Sequence, residues 1–336
     1  MTAAPALAGR AAVVRGLGVY APPRVVTNDE LAQRLDTTDE WVRTRTGIAQ
    51  RHIADAGTST GDLAAEAAIR AVKSAGGDEP DAVIVATTTP DRLCPATAPE
   101  VVTRMGLRHV AAFDVGAVCS GFVYGLAVGT GLIAAGVTRR VVVVGAETIG
   151  RFLNPQDRST SVIFGDGAGA VVLGAGNPDE LGALGPFDLG SDGAGSDLIA
   201  VAAGGSRRPA SDATIDVADH YLRMDGREVY RHAIPRMVES CKVVLDRAGW
   251  PVDSVDRFVG HQANVRILDG VADRLGIPAE RRVVNIDRYG NTSAASIPLA
   301  LADADLQPGH RVLLTAFGGG LTWGSTLLRW PEITPA

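Results

Sequence analysis

The sequence predicts an α/β fold in which parallel sheets are flanked by helices. Short apolar runs rich in branched residues are typical of buried parallel strands, because such strands are covered on both faces. These runs cover residues 82–87, 109–115, 141–146, 258–260, 283–286 and 312–316. Helical patterns alternate with them at residues 62–74, 120–135, 228–248 and 292–304. Strands and helices that alternate in this way indicate βαβ connections.

A second indication is an internal repeat of about half the chain. The ends of two predicted strands, Thr87 and Gly260, lie 173 residues apart, and two strand–helix junctions, Cys119 and Asn291, lie 172 residues apart. A common offset of this size predicts a duplicated structural unit. We therefore expect two halves, residues 1–177 and 178–336.

Two of the predicted helices carry local signals. The helix at 62–74 is amphipathic, with Ser59 or Thr60 available as N-cap and Gly76 placed to end it. The helix at 120–135 is apolar nearly all round, so we expect it to be buried. Each glycine inside a helix costs about 1 kcal/mol relative to alanine, and close backbone packing would explain that cost. Its glycines are Gly121, Gly125, Gly129 and Gly131.

The composition excludes several functional classes. The chain has 336 residues, a formal net charge of −6 and a pI near 5.5, so it lacks the basic surface that general nucleic-acid binding requires. Its lysines, Lys73 and Lys242, do not lie in the G-x-x-x-x-G-K-[ST] pattern of a phosphate-binding loop. The apolar runs are too short to span a bilayer, and the N-terminus lacks a secretory pattern. We expect a cytoplasmic protein with no nucleic-acid or membrane partner.

The cysteines, at positions 94, 119 and 241, are odd in number and far apart. This spacing fits neither a disulfide framework nor a zinc site, and it suits a reducing compartment. The sequence contains no H-E-x-x-H pattern and no paired Cys/His spacing. No bound metal is therefore expected.

Two glycine-rich segments look like nucleotide-binding motifs. Residues 16–21 match G-x-G-x-x-A, but Pro22 and Pro23 follow where the helix that holds a pyrophosphate would have to begin. Residues 165–169 run into a predicted strand rather than a helix, which favours a tight backbone crossing. Neither segment predicts a nucleotide site.

Polar residues follow several predicted strands, where ligands collect in α/β sheets. Cys119 stands where a loop enters the buried helix, and a helix N-terminus lowers the pKa of a thiol and makes it a better nucleophile. A free cysteine is, however, often a small buried apolar residue. The segment alone leaves both interpretations open.

Three further segments follow strands. His261 ends an apolar strand, where a histidine is often only a hydrogen-bonded core residue. Asn291 precedes Thr292 and could simply cap a helix. The glycines at 318–320 would let backbone N–H groups approach a ligand, as an oxyanion hole requires. The joint occurrence of Cys, His and Asn at strand–loop junctions is more informative than any of them alone.

Together, these features make the sequence similar to the β-ketoacyl-acyl carrier protein synthase III family of the thiolase superfamily, and the resemblance runs from about residue 14 to residue 330. The motifs that carry the resemblance are TTDEWVRTRTGI at 37–48, FGDGAG at 164–169, HQAN at 261–264, GNTSAA at 290–295 and AFGGG at 316–320. The resemblance implies a five-layered αβαβα thiolase-like fold made of the two duplicated halves. It also implies a homodimer.

The resemblance implies a two-step acyl transfer, possible because a nucleophile and hydrogen-bond donors share one site. Cys119 would take the acyl group from acyl-CoA, and the N–H groups of Cys119 and Gly319 would hold the thioester oxyanion. His261, neutral because a buried imidazolium is costly, and Asn291 would stabilise the enolate formed when malonyl-acyl carrier protein loses CO2. Acyl-CoA would be a substrate, and no cofactor is implied.

Further residues match the family's substrate contacts. Trp41 would stack on the adenine of CoA, with Arg45 and Arg158 near the nucleotide, and Thr37 would be a further substrate-binding residue. Asn264 would orient the pantetheine or a water molecule, and Phe317 would form an aromatic wall near Cys119. Arg231 and Arg266 would meet the acidic carrier protein. Asp273 stands where a basic residue is common in that patch, so the carrier-binding surface departs from the family pattern at this position.

One position departs from the family pattern. In the fatty-acid initiators, a phenylalanine from the partner subunit often closes the acyl pocket, and Cys94 stands at the matching position. Cysteine is smaller, so we predict a primer larger than acetyl and a role in starting a polyketide or a branched fatty acid. The alternative is that neighbouring side chains refill the space.

Three other functions fit parts of this pattern. An acyltransferase of the same fold could move the Cys-bound acyl group to a hydroxyl, an amine or a carrier thiol without condensation, although the presence of His261 and Asn291 favours condensation. A thiolase would need a second catalytic cysteine, and neither Cys94 nor Cys241 is suitably placed. A non-catalytic partner subunit could dispense with the nucleophile, which is present here.

Overall fold

The computed structural model of the chain describes residues 10–336. The strands are β1 (Ala11–Tyr20), β2 (Val25–Thr27), β3 (Gln50–His52), β4 (Ala82–Ala86), β5 (Ala111–Val115), β6 (Arg140–Glu147), β7 (Gly167–Gly176), β8 (Leu184–Gly190), β9 (Ile199–Ala200), β10 (Arg223–Met224), β11 (Arg257–Gly260), β12 (Arg311–Gly318) and β13 (Thr322–Arg329). The helices are α1 (Asn28–Ala32), α2 (Asp39–Thr46), α3 (Thr60–Ser74), α4 (Ala98–Arg104), α5 (Gly121–Ala134), α6 (Arg158–Ser161), α7 (Gly226–Ala248), α8 (Val265–Leu275), α9 (Ile286–Tyr289) and α10 (Ser296–Asp303).

Two mixed sheets organise the molecule, and they share one topology. The first has the order β1-β7-β6-β4-β5, and the second has the order β8-β13-β12-β11. In both sheets the first three strands pair antiparallel and the next pairs parallel. A parallel bridge from Phe258 to Arg282 takes the place in the second sheet that β5 occupies in the first. The boundary expected at 177/178 falls between β7 and β8, although the division into halves stays a prediction.

The helices form three layers around the two sheets. Helices α5 and α10 lie between the sheets. Helix α5 packs on β6 and β4 of the first sheet and on β13 and β12 of the second, and α10 packs on β7 and β1 of the first and on β11 of the second. Helices α3 and α4 cover the outer face of the first sheet, and α7 covers the second, with α8 packed against it. This αβαβα layering confirms the five-layered fold that the sequence predicts.

One predicted strand is wrong. Residues 283–286 form no strand beyond the bridge at Arg282, and α9 begins at Ile286. The Gln262 side chain occupies the position of a strand neighbour: its Nε2 donates to Val283 O at 3.2 Å, and its Oε1 accepts from Asn285 N at 3.1 Å. Because a side chain satisfies these backbone groups, a sheet ladder is not needed there.

The predicted helix signals are largely confirmed. Ser59 caps α3 in a capping box, in which Ser59 Oγ accepts from Asp62 N at 3.3 Å and the Asp62 carboxylate accepts from Ser59 N at 2.8 Å. The glycines of α5 differ in purpose. A Cβ on Gly125 would lie 2.8 Å from Val143 Cγ1, so close packing requires glycine there, whereas a Cβ on Gly131 would meet nothing within 4 Å.

The two nucleotide-like motifs are packing devices. A Cβ on Gly18 would lie 2.2 Å from Ala71 N, so this glycine lets β1 approach the backbone of α3. A Cβ on Gly165 would lie 2.2 Å from Tyr289 O, so the segment at 165–169 is the tight crossing that the sequence predicts. Among residues 10–336, no helix is long and apolar enough to cross a membrane.

Candidate active site

The three residues predicted to be catalytic line one cavity. Cys119, His261 and Asn291 all face a cavity with an empty volume of about 900 Å³, part of which is open to solvent. Each stands where the sequence places it, at a strand–loop or strand–helix junction: after β5, after β11 and before α10. The duplicated topology therefore brings residues from both sheets to a single site.

Cys119 lies in a 3-10 turn, Val118–Ser120, that leads into α5, and it is buried. Val118 has a φ of +48°, a conformation that costs a branched residue about 1–3 kcal/mol, and the residue after it, Cys119, lines the cavity. The expected lowering of the thiol pKa is not found. Burial raises the pKa of Cys119 to about 12; a hydrogen bond from Ser293 opposes this rise, and the Glu147 charge adds to it.

His261 is fixed at both its backbone and its ring. His261 N donates to Thr315 O at 2.8 Å, and Nδ1 lies 2.6 Å from Ser296 Oγ. Burial lowers the pKa of His261 to about 3, so the ring is neutral, as expected. Ser296 Oγ already accepts from Gln262 N at 3.3 Å, which favours donation of its own proton to Nδ1. The ring proton then lies on Nε2, which is buried without a hydrogen-bond partner.

Asn291 is held by the crossing segment. Its backbone N donates to Ile163 O at 2.9 Å, and its backbone O accepts from Gly165 N at 3.0 Å. Its side-chain Oδ1 accepts from Ser293 N at 2.8 Å, which is a local turn rather than a helix cap, because the N-caps of the two following helical segments are Thr292 and Ala295. Because Oδ1 is engaged, the Nδ2 donors are the part of the amide that remains for a ligand in the cavity.

The glycine loop after β12 approaches the nucleophile closely. A Cβ on Gly318 would lie 2.7 Å from Cys119 N and 3.1 Å from Ser120 N. Any larger residue at 318 would therefore displace the backbone of Cys119. Gly319 comes next and begins a 3-10 turn, Gly319–Leu321. This proximity is compatible with an oxyanion hole formed by Cys119 and Gly319, which stays a prediction.

The predicted CoA residues cluster on and beside α2. The guanidinium carbons of Arg45 and Arg158 lie 4.5 and 4.6 Å from the centre of the Trp41 ring. For a base to insert between the Trp41 ring and a guanidinium, these two groups must be about 7 Å apart, because each of the two stacking contacts takes about 3.5 Å. Arg158 or Arg45 would therefore move outward on nucleotide binding. Thr37, earlier in the same segment, has a buried hydroxyl with no partner within the described chain.

Asn264 and Phe317 lie in the wall of the cavity. Asn264 has a structural role in addition to any contact with substrate. Its Oδ1 accepts from Arg266 N at 2.9 Å as the cap of α8, and its Nδ2 donates to Arg45 O at 3.1 Å. The residue thus joins the cavity wall to the end of α2.

The residues predicted to contact the carrier and the gate lie outside the cavity. Arg231 is exposed on α7 and paired with Glu228 at 2.9 Å, and Arg266 donates to Thr44 O at 3.0 Å. They are the sequence neighbours of Tyr230 and Ile267, which line the cavity. Cys94 is exposed and does not line the cavity of its own chain.

The apolar wall of the cavity is a feature that the sequence patterns do not reveal. Val229, Ala233 and Met237 follow one another every four residues on one face of α7, and Leu222 and Met224 extend this wall. The helical spacing of these apolar residues indicates a buried face, but not that the face borders a cavity.

Glu147, at the end of β6, is a second feature of the site that was not predicted from the sequence. It is completely buried, and its carboxylate accepts from Thr88 N at 3.1 Å, Thr89 Oγ1 at 2.8 Å and Ser293 Oγ at 3.0 Å. Burial raises the pKa of Glu147 to about 7. A glutamate directly after an apolar strand is a polar strand end of the kind that identified His261, so this signal was present in the sequence. Among the described residues, no group of acidic, histidine or cysteine side chains could hold a metal ion.

Comparison with known proteins gives a consistent result. A family profile described as "3-Oxoacyl-[acyl-carrier-protein (ACP)] synthase III" matches residues 113–193, and its C-terminal counterpart matches residues 245–330. The chain is 63% identical to beta-ketoacyl-[acyl-carrier-protein] synthase III 3 of Streptomyces coelicolor, over 97% of this chain and 99% of the relative. It is 53% identical to beta-ketoacyl-[acyl-carrier-protein] synthase III of Pseudomonas aeruginosa, over 97% of this chain and 98% of that protein.

Solved structures agree with the sequence relatives. The crystal structure of 3-oxoacyl-(acyl carrier protein) synthase III, FabH, from Pseudomonas aeruginosa superposes with a TM-score of 0.90 at 51% identity, covering 97% of this chain and all of that one. The priming β-ketosynthase of the R1128 polyketide biosynthetic pathway gives a TM-score of 0.88 at 34% identity, covering 96% of this chain and 97% of that one. The chain therefore belongs to the 3-oxoacyl-[acyl-carrier-protein] synthase III family, with its thiolase fold.

Proposed function

We propose that the chain catalyses the decarboxylating Claisen condensation of an acyl-CoA primer with malonyl-acyl carrier protein, through an acyl group carried on Cys119. The observation that carries this proposal is the shared cavity, in which a cysteine thiol faces a neutral histidine with a free Nε2 and an asparagine with free Nδ2 donors. The names of the relatives, which are β-ketoacyl-carrier protein synthases, support the same reaction.

In the first half-reaction, the Cys119 sulfur attacks the thioester carbon of acyl-CoA. The negative charge that develops on the carbonyl oxygen is stabilised by the N–H groups of Cys119 and Gly319. The C–S bond to CoA then breaks, CoA leaves as its thiolate, and the acyl group remains on Cys119. The close approach of Gly318, the residue before Gly319, to Cys119 N supports this arrangement.

In the second half-reaction, malonyl-carrier protein enters the same cavity. Its thioester oxygen accepts from His261 Nε2 and Asn291 Nδ2, and loss of CO2 leaves an enolate that these donors stabilise. The enolate carbon attacks the acyl-Cys119 carbonyl, Cys119 leaves as a thiolate, and a β-ketoacyl-carrier protein is released. A neutral His261 suits this role, since it donates a hydrogen bond without a buried charge.

The substrate enters the cavity through the part that is open to solvent. Trp41, Arg45, Arg158 and Thr37 hold the nucleotide end of CoA, and Asn264 and Phe317 line the path of the thioester arm. Arg231 and Arg266 meet the acidic carrier protein. Each stands next to a cavity-lining residue, which supports a carrier that docks over the opening.

The primer is larger than acetyl, and the active form is a homodimer in which Cys94 of one subunit faces the acyl pocket of the other. Two observations support this. Cys94 and the neighbouring Leu93, 86% exposed, form a surface loop that does not border the cavity of its own chain. The wall of that cavity is largely apolar, with Val229, Ala233 and Met237 among its lining residues.

The reaction type is tested by product analysis. Wild-type protein is incubated with hexanoyl-CoA and malonyl-carrier protein, and CO2 release is measured together with the mass of the carrier product. Condensation gives equal amounts of CO2 and β-ketoacyl-carrier protein, and Asn291→Ala lowers both. Transfer of the intact hexanoyl group to the carrier without CO2 release would contradict condensation and favour a plain acyltransferase.

Primer size is tested by acylation rates with acetyl-, butyryl-, hexanoyl- and octanoyl-CoA. The proposal expects faster acylation by the longer primers, and Cys94→Phe should shift the preference toward acetyl. A marked preference of the wild-type protein for acetyl-CoA would contradict it. Sedimentation at low protein concentration tests the homodimer.

A further inference from the structure

We propose that the hydroxyls of Ser120 and Thr322 fix the relative positions of the two N–H groups that hold the thioester oxyanion. The inference rests on the proposed oxyanion hole of Cys119 and Gly319. Ser120 directly follows Cys119, and Thr322 comes three residues after Gly319, so each hydroxyl stands beside one of the two turns. Neither residue lines the cavity, so both are positioning residues that act on the backbone rather than on the substrate.

Side-chain hydrogen bonds join the two turns in both directions. Ser120 Oγ donates to Thr322 O at 2.9 Å, and Thr322 Oγ1 donates to Ala117 O at 3.0 Å. Thr322 Oγ1 also lies 3.2 Å from Gly319 O and 3.3 Å from Ser120 Oγ. One hydroxyl is therefore within hydrogen-bonding distance of a carbonyl in each turn, and the other hydroxyl donates back across the junction. These two side chains are called the hydroxyl clamp below.

The turns that the hydroxyl clamp joins have unusual backbone conformations. Val118, the residue before Cys119, has a φ of +48°, and Leu321, the residue before Thr322, has a φ of +45°. Neither residue is glycine, and such conformations persist only where the surrounding structure enforces them. The clamp bonds lie within two residues of both positions, so they contribute to that enforcement.

The hydroxyl clamp also contacts the glycine that separates the two turns. A Cβ on Gly318 would lie 2.7 Å from Cys119 N and 3.2 Å from Thr322 Oγ1, so the backbone at 318 packs against both. The peptide between Gly318 and Gly319 carries the Gly319 N–H, one of the two proposed oxyanion donors. Displacement of the Thr322 side chain should therefore displace this donor.

The two donors come from distant parts of the chain. Cys119 follows β5 and Gly319 follows β12, and the two residues lie 200 positions apart. No bond within a single turn can set the separation of these donors, whereas the hydroxyl clamp connects the turns directly. An oxyanion hole stabilises developing charge because its donors are held in place before the reaction. Loss of a clamp hydroxyl should therefore weaken stabilisation of the transition state rather than binding of the substrate.

The test compares the rates of three reactions in Thr322→Val, in which Ala117 O keeps its bond from Ser120 N at 3.0 Å. Acylation by hexanoyl-CoA passes through an oxyanion, so its maximal rate should fall by about tenfold with the KM unchanged, since the donor is displaced and not deleted. Alkylation of Cys119 by iodoacetamide forms no oxyanion, and decarboxylation of malonyl-carrier protein by the acyl-free enzyme uses the other pair of donors. Both of these rates should stay within about twofold of wild type.

Thr326→Val is the matched control, because it removes a hydroxyl from the same strand, β13, where Thr326 Oγ1 donates to Pro186 O at 3.0 Å. It should be acylated at the wild-type rate, and so should Thr322→Ser, which keeps the clamp hydroxyl. Ser120→Ala removes the other clamp bond and should show the same selective loss as Thr322→Val. Thermal melting identifies a variant that fails to fold, and the other clamp variant then decides.

The inference is overturned if either clamp variant, once folded, is acylated at the wild-type rate. It is also overturned if the loss is equal in all three reactions, or if Thr326→Val shows the same loss, because the effect would then be a general disturbance. Wild-type protein that reacts with iodoacetamide but takes no acyl group from hexanoyl-CoA would instead contradict the proposed function, on which the inference rests. The two failures are therefore distinguishable.

Discussion

His261 Nδ1 lies 2.6 Å from Ser296 Oγ, whereas the Nε2 of the same ring is buried and has no partner. The hydrogen bond at Nδ1 explains why Nε2 carries the ring proton. A hydroxyl that donates to Nδ1 leaves the proton on Nε2, the atom available to the substrate. Ser296 is the first residue of α10, so the helix that separates the two sheets also sets the protonated nitrogen of His261.

Ser296→Ala should lower condensation without affecting acylation of Cys119. Loss of the hydroxyl removes the preference for the Nε2-protonated ring, and a hydrogen bond of about 1.4 kcal/mol corresponds to a tenfold loss in rate. CO2 release from malonyl-carrier protein measures the effect, and the acylation rate with hexanoyl-CoA is the control. Ser296→Thr, which keeps a hydroxyl, should restore most of the rate. Equal losses in both half-reactions would indicate a general disturbance of the site.

Trp41→Ala should raise the KM for acyl-CoA by about tenfold or more, because base–aromatic stacking is worth about 1–3 kcal/mol. The same variant should react normally with an acyl-N-acetylcysteamine thioester, which has no nucleotide. Arg24→Ala is the surface control, since Arg24 is exposed and paired with Glu30 at 2.9 Å. Equal losses with both substrates would show that Trp41 supports the fold of α2 rather than nucleotide binding.

Two glycines of α5 should respond in opposite directions to alanine. In Gly131→Ala the added Cβ meets nothing within 4 Å, so the free energy of unfolding should increase by about 1 kcal/mol. In Gly125→Ala the Cβ would lie 2.8 Å from Val143 Cγ1, and overpacking should lower the free energy of unfolding by about 1–3 kcal/mol. Chemical denaturation of the two variants provides the measurement. A stabilised Gly125→Ala would show that α5 can move away from β6 at little cost.

The pH dependence of stability should carry the signature of buried His261. The unfolded chain binds a proton at His261 below about pH 6.5, but the folded chain does so only near pH 3. The stability contributed by the neutral ring is therefore full above pH 6.5 and is lost as the pH falls toward 3. Near pH 5 the loss should be about 2 kcal/mol.

His261→Asn isolates this contribution, because Glu147 acts in the opposite direction. The folded-state pKa of Glu147 is raised from 4.5 to about 7, so its contribution is full below 4.5 and is lost as the pH rises through 7. The difference in unfolding free energy between wild type and His261→Asn cancels the Glu147 effect. That difference should change between pH 6.5 and 3. A constant difference would mean that His261 has the same pKa in the folded and the unfolded chain.

Local patterns were sufficient to predict most of the elements. The buried strands at β4, β6 and β12 and the helices α3, α5 and α7 follow from apolar periodicity and caps within each segment. Residues 283–286 were wrongly predicted to form a strand. The Gln262 side chain, more than twenty residues away in sequence, satisfies the backbone groups of Val283 and Asn285, and this contact cannot be seen in the local pattern. Glycine is required at position 125 because the residue contacts β6, whereas position 131 has free space. Apolar periodicity alone does not distinguish these two positions.

Site residues could be predicted where the residue type and its position at the end of a strand were enough to identify them. Cys119, His261 and Asn291 were found in this way, and they line one cavity. The connection between Glu147 and Ser293 joins residues 146 positions apart, so it appears only when the chain is folded. The rise in the Cys119 pKa has the same origin: the helix terminus is visible in the sequence, but the burial that outweighs it is not.

The central claim, that Cys119 carries the acyl group, is tested most directly by intact mass measurement followed by peptide mapping. Wild-type protein mixed with hexanoyl-CoA should gain one hexanoyl group on the peptide containing Cys119, and this mass should be lost when malonyl-carrier protein is added. Cys119→Ala should gain none, whereas Cys94→Ala should behave like wild type. An adduct that persists in Cys119→Ala, or wild-type protein that forms product without an acyl adduct, would contradict the account.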